Sequence, residues 1–83
     1  MKAKAQVLLY TKPGCHLCEE AKGEMLSAGC ADLYDLTEIN IETDPALKTR
    51  YRFDIPVITI NGQERFRHRL TAAEFKRAVA SDE

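Results

Sequence analysis

Thr11-Lys12-Pro13-Gly14-Cys15-His16-Leu17-Cys18 is the stretch from which the fold of this chain is read. Upstream lies a short apolar run, Val7-Leu8-Leu9-Tyr10, and downstream Cys18, Ala21, Met25 and Ala28 recur at steps of three, four and three. The first pattern predicts a strand and the second a helix with one apolar stripe, so a C-x-x-C pair sits where a strand hands over to a helix. A helix N-terminus carries unpaired N–H groups and the positive end of the macrodipole, and both favour an anion. Here that anion is a thiolate. Free cysteine titrates at about 8.5, whereas C-x-x-C cysteines at helix starts fall to roughly 3.5–7.5. Cys18 belongs to the apolar stripe and faces the core; Cys15 follows Pro13-Gly14 at the tip, where its sulfur meets a partner. Cys15 is therefore read as the attacking thiol and Cys18 as the resolving one. Two cysteines packed as ordinary small hydrophobes would be the bland reading, and it leaves the strand-turn-helix setting unexplained.

The 83 residues make room for a single domain, 1–83, with a modest core. A hydrophobic fraction of 45% and a charged fraction of 30% fit an ordinary soluble globular chain. With a net charge of −1, neither nucleic acid nor an anionic membrane is expected as the main partner. No apolar run approaches the roughly 20 residues that span a bilayer, and Met1-Lys2-Ala3-Lys4-Ala5-Gln6 is not followed by a signal-like apolar block. The expected location is the cytoplasm. Three cysteines do not make a disulfide framework, and in a reducing compartment C-x-x-C reads as catalytic or metal-binding.

The remaining elements follow in order. The first strand is apolar on both faces, as a central strand covered by helices would be. The first helix is expected over 16–28, with Glu19 and Glu20 in its first turn and Gly29 as its stop; Gly23 inside it has no evident reason. Leu36-Thr37-Glu38-Ile39-Asn40-Ile41 reads as a strand with Thr37, Ile39 and Ile41 on one face, and the helix between two strands implies a parallel, right-handed crossover. Asp44 and Pro45 are the N-cap and first residue of a short helix that buries Leu47 and Tyr51. Asp54-Ile55-Pro56-Val57-Ile58-Thr59-Ile60 is a second apolar strand ending in an Asn61-Gly62 hairpin turn. In the return strand Arg65, Arg67 and Arg69 alternate with Phe66, His68 and Leu70, a charged edge. Thr71 and Glu74 form a capping box, Leu70 and Phe75 a hydrophobic staple, and Phe75 and Val79 the core face of the last helix.

The order strand, helix, strand, helix, strand, hairpin strand, helix, with C-x-x-C after the first strand and Ile55-Pro56 opening the third, resembles the thioredoxin superfamily. Within it, Tyr10 to Cys18, with a lysine three residues before the first cysteine, resembles the glutaredoxin branch. The likeness is greatest to small bacterial glutaredoxin-like proteins with C-H-L-C, Asp-Pro-x-Leu and Ile-Pro-Val leading to Asn-Gly. The resemblance implies an α/β thioredoxin fold, a four-stranded mixed sheet with helices on both faces. It also implies a dithiol–disulfide oxidoreductase that uses Cys15 and Cys18. Substrate binding falls to Lys12, Ile55 and Pro56: the proline is cis in the family, against about 5% of X-Pro bonds generally, and the backbone before it pairs with a bound peptide or glutathione. The chain departs from glutaredoxins in two places. His-Leu stands between the cysteines where they have Pro-Tyr, and the Gly-Gly-x-x-Asp segment that holds the γ-glutamyl end of glutathione is replaced by Phe66-Arg67-His68-Arg69-Leu70-Thr71. No cofactor is expected, and glutathione is a doubtful co-substrate.

Two other functions compete with the enzyme. Cys15 and Cys18 could ligate zinc or, between two subunits, an iron–sulfur cluster, though structural zinc takes four ligands; alternatively the fold serves as a redox-silent interaction domain. The expected partners of the enzyme are a disulfide-containing protein or small thiol and a thioredoxin-type reductant, acting on a monomer. His16 in a first helical turn meets an unfavourable dipole and is expected neutral. Cys30 reads as half-buried.

Overall fold

Burial alternates along the first strand: Ala5, Val7 and Leu9 are buried, with Leu8 and Tyr10 half-buried on the opposite face. A strand covered on both sides belongs in the middle of a sheet, and the computed structural model, which describes residues 4–81, places it there. Along the chain run β1 (Ala5–Thr11), α1 (His16–Ser27), β2 (Tyr34–Asn40), α2 (Pro45–Tyr51), β3 (Val57–Ile60), β4 (Gln63–Arg67) and α3 (Ala72–Ser81). Short 3-10 turns occupy Ala31–Leu33 and Ile41–Thr43. The sheet order is β2-β1-β3-β4. β1 pairs in parallel with β2, from Ala5 opposite Tyr34 to Thr11 opposite Asn40, and antiparallel with β3, from Val7 opposite Ile60 to Tyr10 opposite Val57. α1 is the crossover that parallel pairing requires.

Alternation along β3 divides the core. Ile58 and Ile60 join Val7, Leu9, Met25 and Phe75 in the larger cluster, beneath α1 and α3, where Tyr34 meets Phe75 edge-on at 5.0 Å between ring centroids. Val57 faces the other way, into a smaller cluster of Cys18, Ile41, Tyr51 and Ile55, against which Tyr10, Cys15 and Leu47 pack. This second cluster lies beneath α2. Helices therefore cover both faces of the mixed sheet, in the expected thioredoxin-like arrangement.

The caps follow the local chemistry. Asp44 accepts hydrogen bonds from Ala46 N at 2.9 Å and Leu47 N at 3.4 Å and starts α2 with Pro45 behind it. Gly29, at φ 67°, stops α1, since few other residues enter the left-handed region cheaply. Asn61 and Gly62 both have positive φ, as a two-residue hairpin turn demands. Asn61 also exchanges two 2.8 Å hydrogen bonds with the Gln6 backbone, tying the hairpin to β1.

Five details differ from the sequence reading. β2 begins at Tyr34, two residues earlier than expected; Tyr34 is buried and Leu36 and Ile39 are half-buried, while Thr37 is exposed. Ile41 leaves the strand because its 3-10 turn carries it into the smaller core cluster, where it is buried. β3 is shorter than 54–60, because Asp54 N and Ile55 N both donate to the Tyr51 carbonyl, at 2.8 and 3.2 Å, and fold the loop back on α2. The arginine alternation ends at Arg67: His68 takes φ 68° and donates its N–H to Pro56 O at 2.8 Å, while Arg69 N donates to Arg67 O at 2.7 Å. That tight turn delivers Leu70 to the core. Cys30 is buried rather than half-buried, and burial pushes the nearby Tyr34 hydroxyl above the usual tyrosine range, with the Cys30 charge adding to the effect.

Candidate functional site

The end of β1 and the start of α1 are joined by a turn built for one purpose, presenting Cys15 at the helix N-terminus. Gly14 adopts φ 77°, and Cys15 N donates to Lys12 O at 3.3 Å, which closes the turn. Cys15 is then extended, with φ −84° and ψ 107°, and occupies the N-cap of α1. Its Sγ accepts the Cys18 N–H at 3.2 Å, the role that serine or aspartate oxygens fill in other helices. A donor aimed at sulfur, in the first turn of a helix, stabilises a negative sulfur over a neutral one. Cys15 is half-buried and Cys18 is 2% exposed, and the two are joined in a disulfide with their Cα atoms 5.2 Å apart. The asymmetry read from the helical stripe is present: one sulfur at the surface, the other under it.

The Ile55–Pro56 peptide bond is cis, and both residues are buried. Ile55 lies in the cluster on which Cys15 packs, so the two halves of the expected substrate site share one patch of core. The Ile55 N–H is already taken by Tyr51 O at 3.2 Å. Lys12 is exposed, and its contribution to the local structure is its backbone carbonyl. His16 points away from the sulfur pair: its Nε2 lies 2.8 Å from Glu20 Oε2, one helical turn along, with the imidazole 87% exposed. Arg67 is held by Glu64, at 2.6 Å, and by Asp54, at 3.4 Å. This pairing holds the Glu64 carboxyl below the usual carboxylate range, through the hydrogen bond first and the charge second. Arg67 thus belongs to the edge strand and not to the site.

A groove of about 580 Å³ runs between α1 and the segment leading into α3. Leu17, Ala21 and Leu70 line it together with the acidic Glu20, Glu24 and Glu74 and the basic Arg69. Gly23 lines it too, and a Cβ there would meet nothing within 4 Å, so close packing does not explain that glycine. At its far side is the N-terminus of α3, where three N–H groups are already satisfied. Thr71 N donates to Glu74 Oε1 at 3.3 Å, Glu74 N to Thr71 Oγ1 at 3.2 Å and Ala72 N to Glu24 Oε1 at 2.8 Å. The first two are the capping box anticipated from Thr71 and Glu74. The third was not legible, because Glu24 lies 48 residues away on another helix and only the packing of α1 against α3 brings it in.

The family model described as "Glutaredoxin-like domain (DUF836)" matches residues 6–80. The chain belongs to this family. Its fold is also that of solved structures. The X-ray structure of a structural-genomics target protein from X. campestris superposes with a TM-score of 0.79 at 21% identity, over 93% of this chain and 99% of that one. The solution NMR structure of a protein from Nitrosomonas europaea gives a TM-score of 0.75 at 24% identity, over 88% of each chain. A malarial protein gives 0.63 at 15% identity, over 94% of each. At these identities the likeness concerns the fold alone. The glutaredoxin-like family and the Cys15–Cys18 pair together indicate redox capacity.

Cys30 does not complete a metal site with the C-x-x-C pair, because it is buried in the other core cluster. Among the described residues no group of three or more His, Cys, Asp or Glu side chains is placed to hold a metal ion. No helix among them is long and apolar enough to cross a membrane.

Proposed function

We propose that this glutaredoxin-like protein is a dithiol–disulfide oxidoreductase whose nucleophile is Cys15. The observation that carries this reading is the position of the Cys15 sulfur at the α1 N-cap, facing the Cys18 N–H, with the second sulfur buried below. In the reduced protein the Cys15 thiolate attacks one sulfur of a substrate disulfide. A Cys15–substrate S–S bond forms, the substrate S–S bond breaks, and the displaced sulfur leaves as a thiolate that takes a proton from water. Cys18 then loses its proton and attacks Cys15 Sγ. The Cys15–Cys18 bond forms, the mixed disulfide breaks and the second substrate thiolate departs. Two electrons have passed from the protein to the substrate, and an external dithiol restores them by the reverse sequence. In this reading Ile55 and Pro56 position the substrate backbone, which is supported by Ile55 lying in the cluster on which Cys15 packs, and Lys12 supplies a positive charge for the thiolate or for a substrate carboxylate.

The preferred electron donor is a thioredoxin-type dithiol protein and not glutathione. Glutathione has two carboxylates to satisfy, and a buried polar group left unpaired costs about 1–3 kcal/mol. Lys12 serves one of them. Support for a weak second anion site comes from the N-terminus of α3, where the Thr71, Ala72 and Glu74 N–H groups are taken by Glu74, Glu24 and Thr71, and from the three carboxylates that line its groove and offset Arg69 there. Interactions of that size correspond to roughly ten- to hundred-fold in affinity. Stopped-flow reduction of the oxidised protein decides the matter. Reduction by a micromolar thioredoxin-type protein is expected to outpace reduction by millimolar glutathione, and the opposite order would refute the assignment of the donor.

A further inference from the structure

The geometry points to a docking surface beside Cys15 for a protein substrate whose disulfide is flanked by acidic side chains, with Phe53 as its apolar anchor and Lys12, Lys48 and Arg52 as its charged rim. It rests on the oxidoreductase reading and specifies the kind of substrate.

Phe53 is 78% exposed, more than any other large hydrophobic side chain among the described residues. It sits in the loop between α2 and β3, two residues after Tyr51 and two before Ile55, and both of those belong to the cluster against which Cys15 packs. The backbone that carries the exposed ring is thus anchored on both sides in the cluster against which Cys15 packs. Arg52 lies over this ring, its guanidinium carbon 4.7 Å from the centroid. Exposed aromatic rings and arginine are both enriched at protein interfaces, and a ring under a guanidinium gains a cation–π contact.

The charges around Phe53 give the occupant its sign. Lys48 and Arg50 lie in the last turn of α2 and Arg52 just beyond it. Of the acids on this flank, Asp54 is turned toward the edge strand, with Oδ2 3.4 Å from Arg67 and Oδ1 3.7 Å from His68, while Glu42 and Asp44 lie at the opposite end of α2, where Asp44 caps the helix. Among the described residues, Lys12, Lys48 and Arg52 have no ion-pair partner. The opposite flank of the site is acidic, since Glu19, Glu20 and Glu24 are all exposed on α1. In a chain of net charge −1 this is a local polarity rather than a global one. An acidic partner is drawn to the α2 side and repelled from α1, which orients its disulfide over Cys15; complementary rims of this kind act chiefly on association rate and specificity.

The test uses three disulfides with the reduced full-length protein: a cyclic disulfide peptide with Asp and Glu flanking its cysteines, the same peptide with Lys in their place, and neutral hydroxyethyl disulfide. The acidic peptide is expected to be reduced about tenfold faster than the basic one, as roughly three exposed ion pairs of modest strength would give. That preference should shrink as salt rises, because the Debye length falls from about 10 Å at 0.1 M to about 3 Å at 1 M. In Phe53→Ala the acidic-peptide rate should fall several-fold, and in a Lys48→Glu, Arg52→Glu double variant the charge preference should reverse, with hydroxyethyl disulfide reduced at the wild-type rate by both. Equal peptide rates in the wild type, or variants that slow all three disulfides alike, would overturn the docking surface while leaving the chemistry intact. A wild-type protein that reduces none of the three would refute the oxidoreductase reading itself, and the docking surface with it.

Discussion

Cys15→Ser will bring turnover of hydroxyethyl disulfide down to the buffer background, whereas Cys18→Ser will keep the first half of the reaction and lose the second. The difference follows from where the two sulfurs sit. Cys15 is half-buried at the helix N-cap, in reach of a substrate, and Cys18 is 2% exposed beneath it. A serine oxygen at position 15 still accepts the Cys18 N–H and still caps α1, so the fold should survive, but at neutral pH it supplies no thiolate. With Cys18 replaced, Cys15 forms the mixed disulfide and nothing within the chain displaces it, because the other cysteine, Cys30, is buried in the opposite cluster. Intact-protein mass spectrometry of Cys18→Ser mixed with hydroxyethyl disulfide should show one added mercaptoethanol group, located on Cys15. A Cys15→Ser protein that forms that adduct on Cys18 with comparable speed would reverse the roles.

Phe75→Ala is expected to destabilise the domain by about 3–5 kcal/mol, the usual range for removing a buried aromatic side chain from a core. Phe75 is fully buried, packs edge-on against Tyr34 and forms the staple with Leu70. A domain of 83 residues has a total stability of roughly 4–12 kcal/mol, so this one change consumes a large share of it or unfolds the protein outright. Phe53→Ala serves as the matched control, being the same substitution at a ring that is 78% exposed. Urea denaturation of both variants should give a large fall in midpoint for position 75 and a shift near zero for position 53. Similar midpoints for the two would mean that Phe75 is not the keystone of the larger cluster.

The parts of the molecule that were legible from sequence are those decided by local chemistry. Asp44-Pro45, Thr71 with Glu74, Asn61-Gly62 and Gly29 all became the caps and turns that their side chains favour, and the stripe Cys18, Ala21, Met25 predicted which face of α1 is buried. What failed was decided by contacts distant in sequence. Alternation puts Thr37 with Ile39 and Ile41 on the sheltered face of β2; Ile39 is half-buried and Ile41 buried, but Thr37 is exposed, and the packing of Tyr34 on Phe75 shelters Tyr34 and Leu36 as well. The arginine alternation looked like a strand to Leu70, but His68 reaches back to Pro56 O and breaks it. At the site, the two cysteines and Ile55-Pro56 follow from motif and order, while the role of Glu24 at the α3 N-terminus exists only once α1 and α3 are packed together.

The central claim is that the α1 N-cap makes Cys15 a thiolate at neutral pH. It is tested most directly by the rate of alkylation of the reduced protein with iodoacetamide as a function of pH, with Cys15 and Cys18 followed separately by peptide mass spectrometry. The Cys15 rate should rise through an inflection within the roughly 3.5–7.5 range of helix-start C-x-x-C cysteines and level off before pH 8.5, with Cys18 labelled much more slowly throughout. A Cys15 inflection at about 8.5, the free-cysteine value, or faster labelling of Cys18, would contradict it.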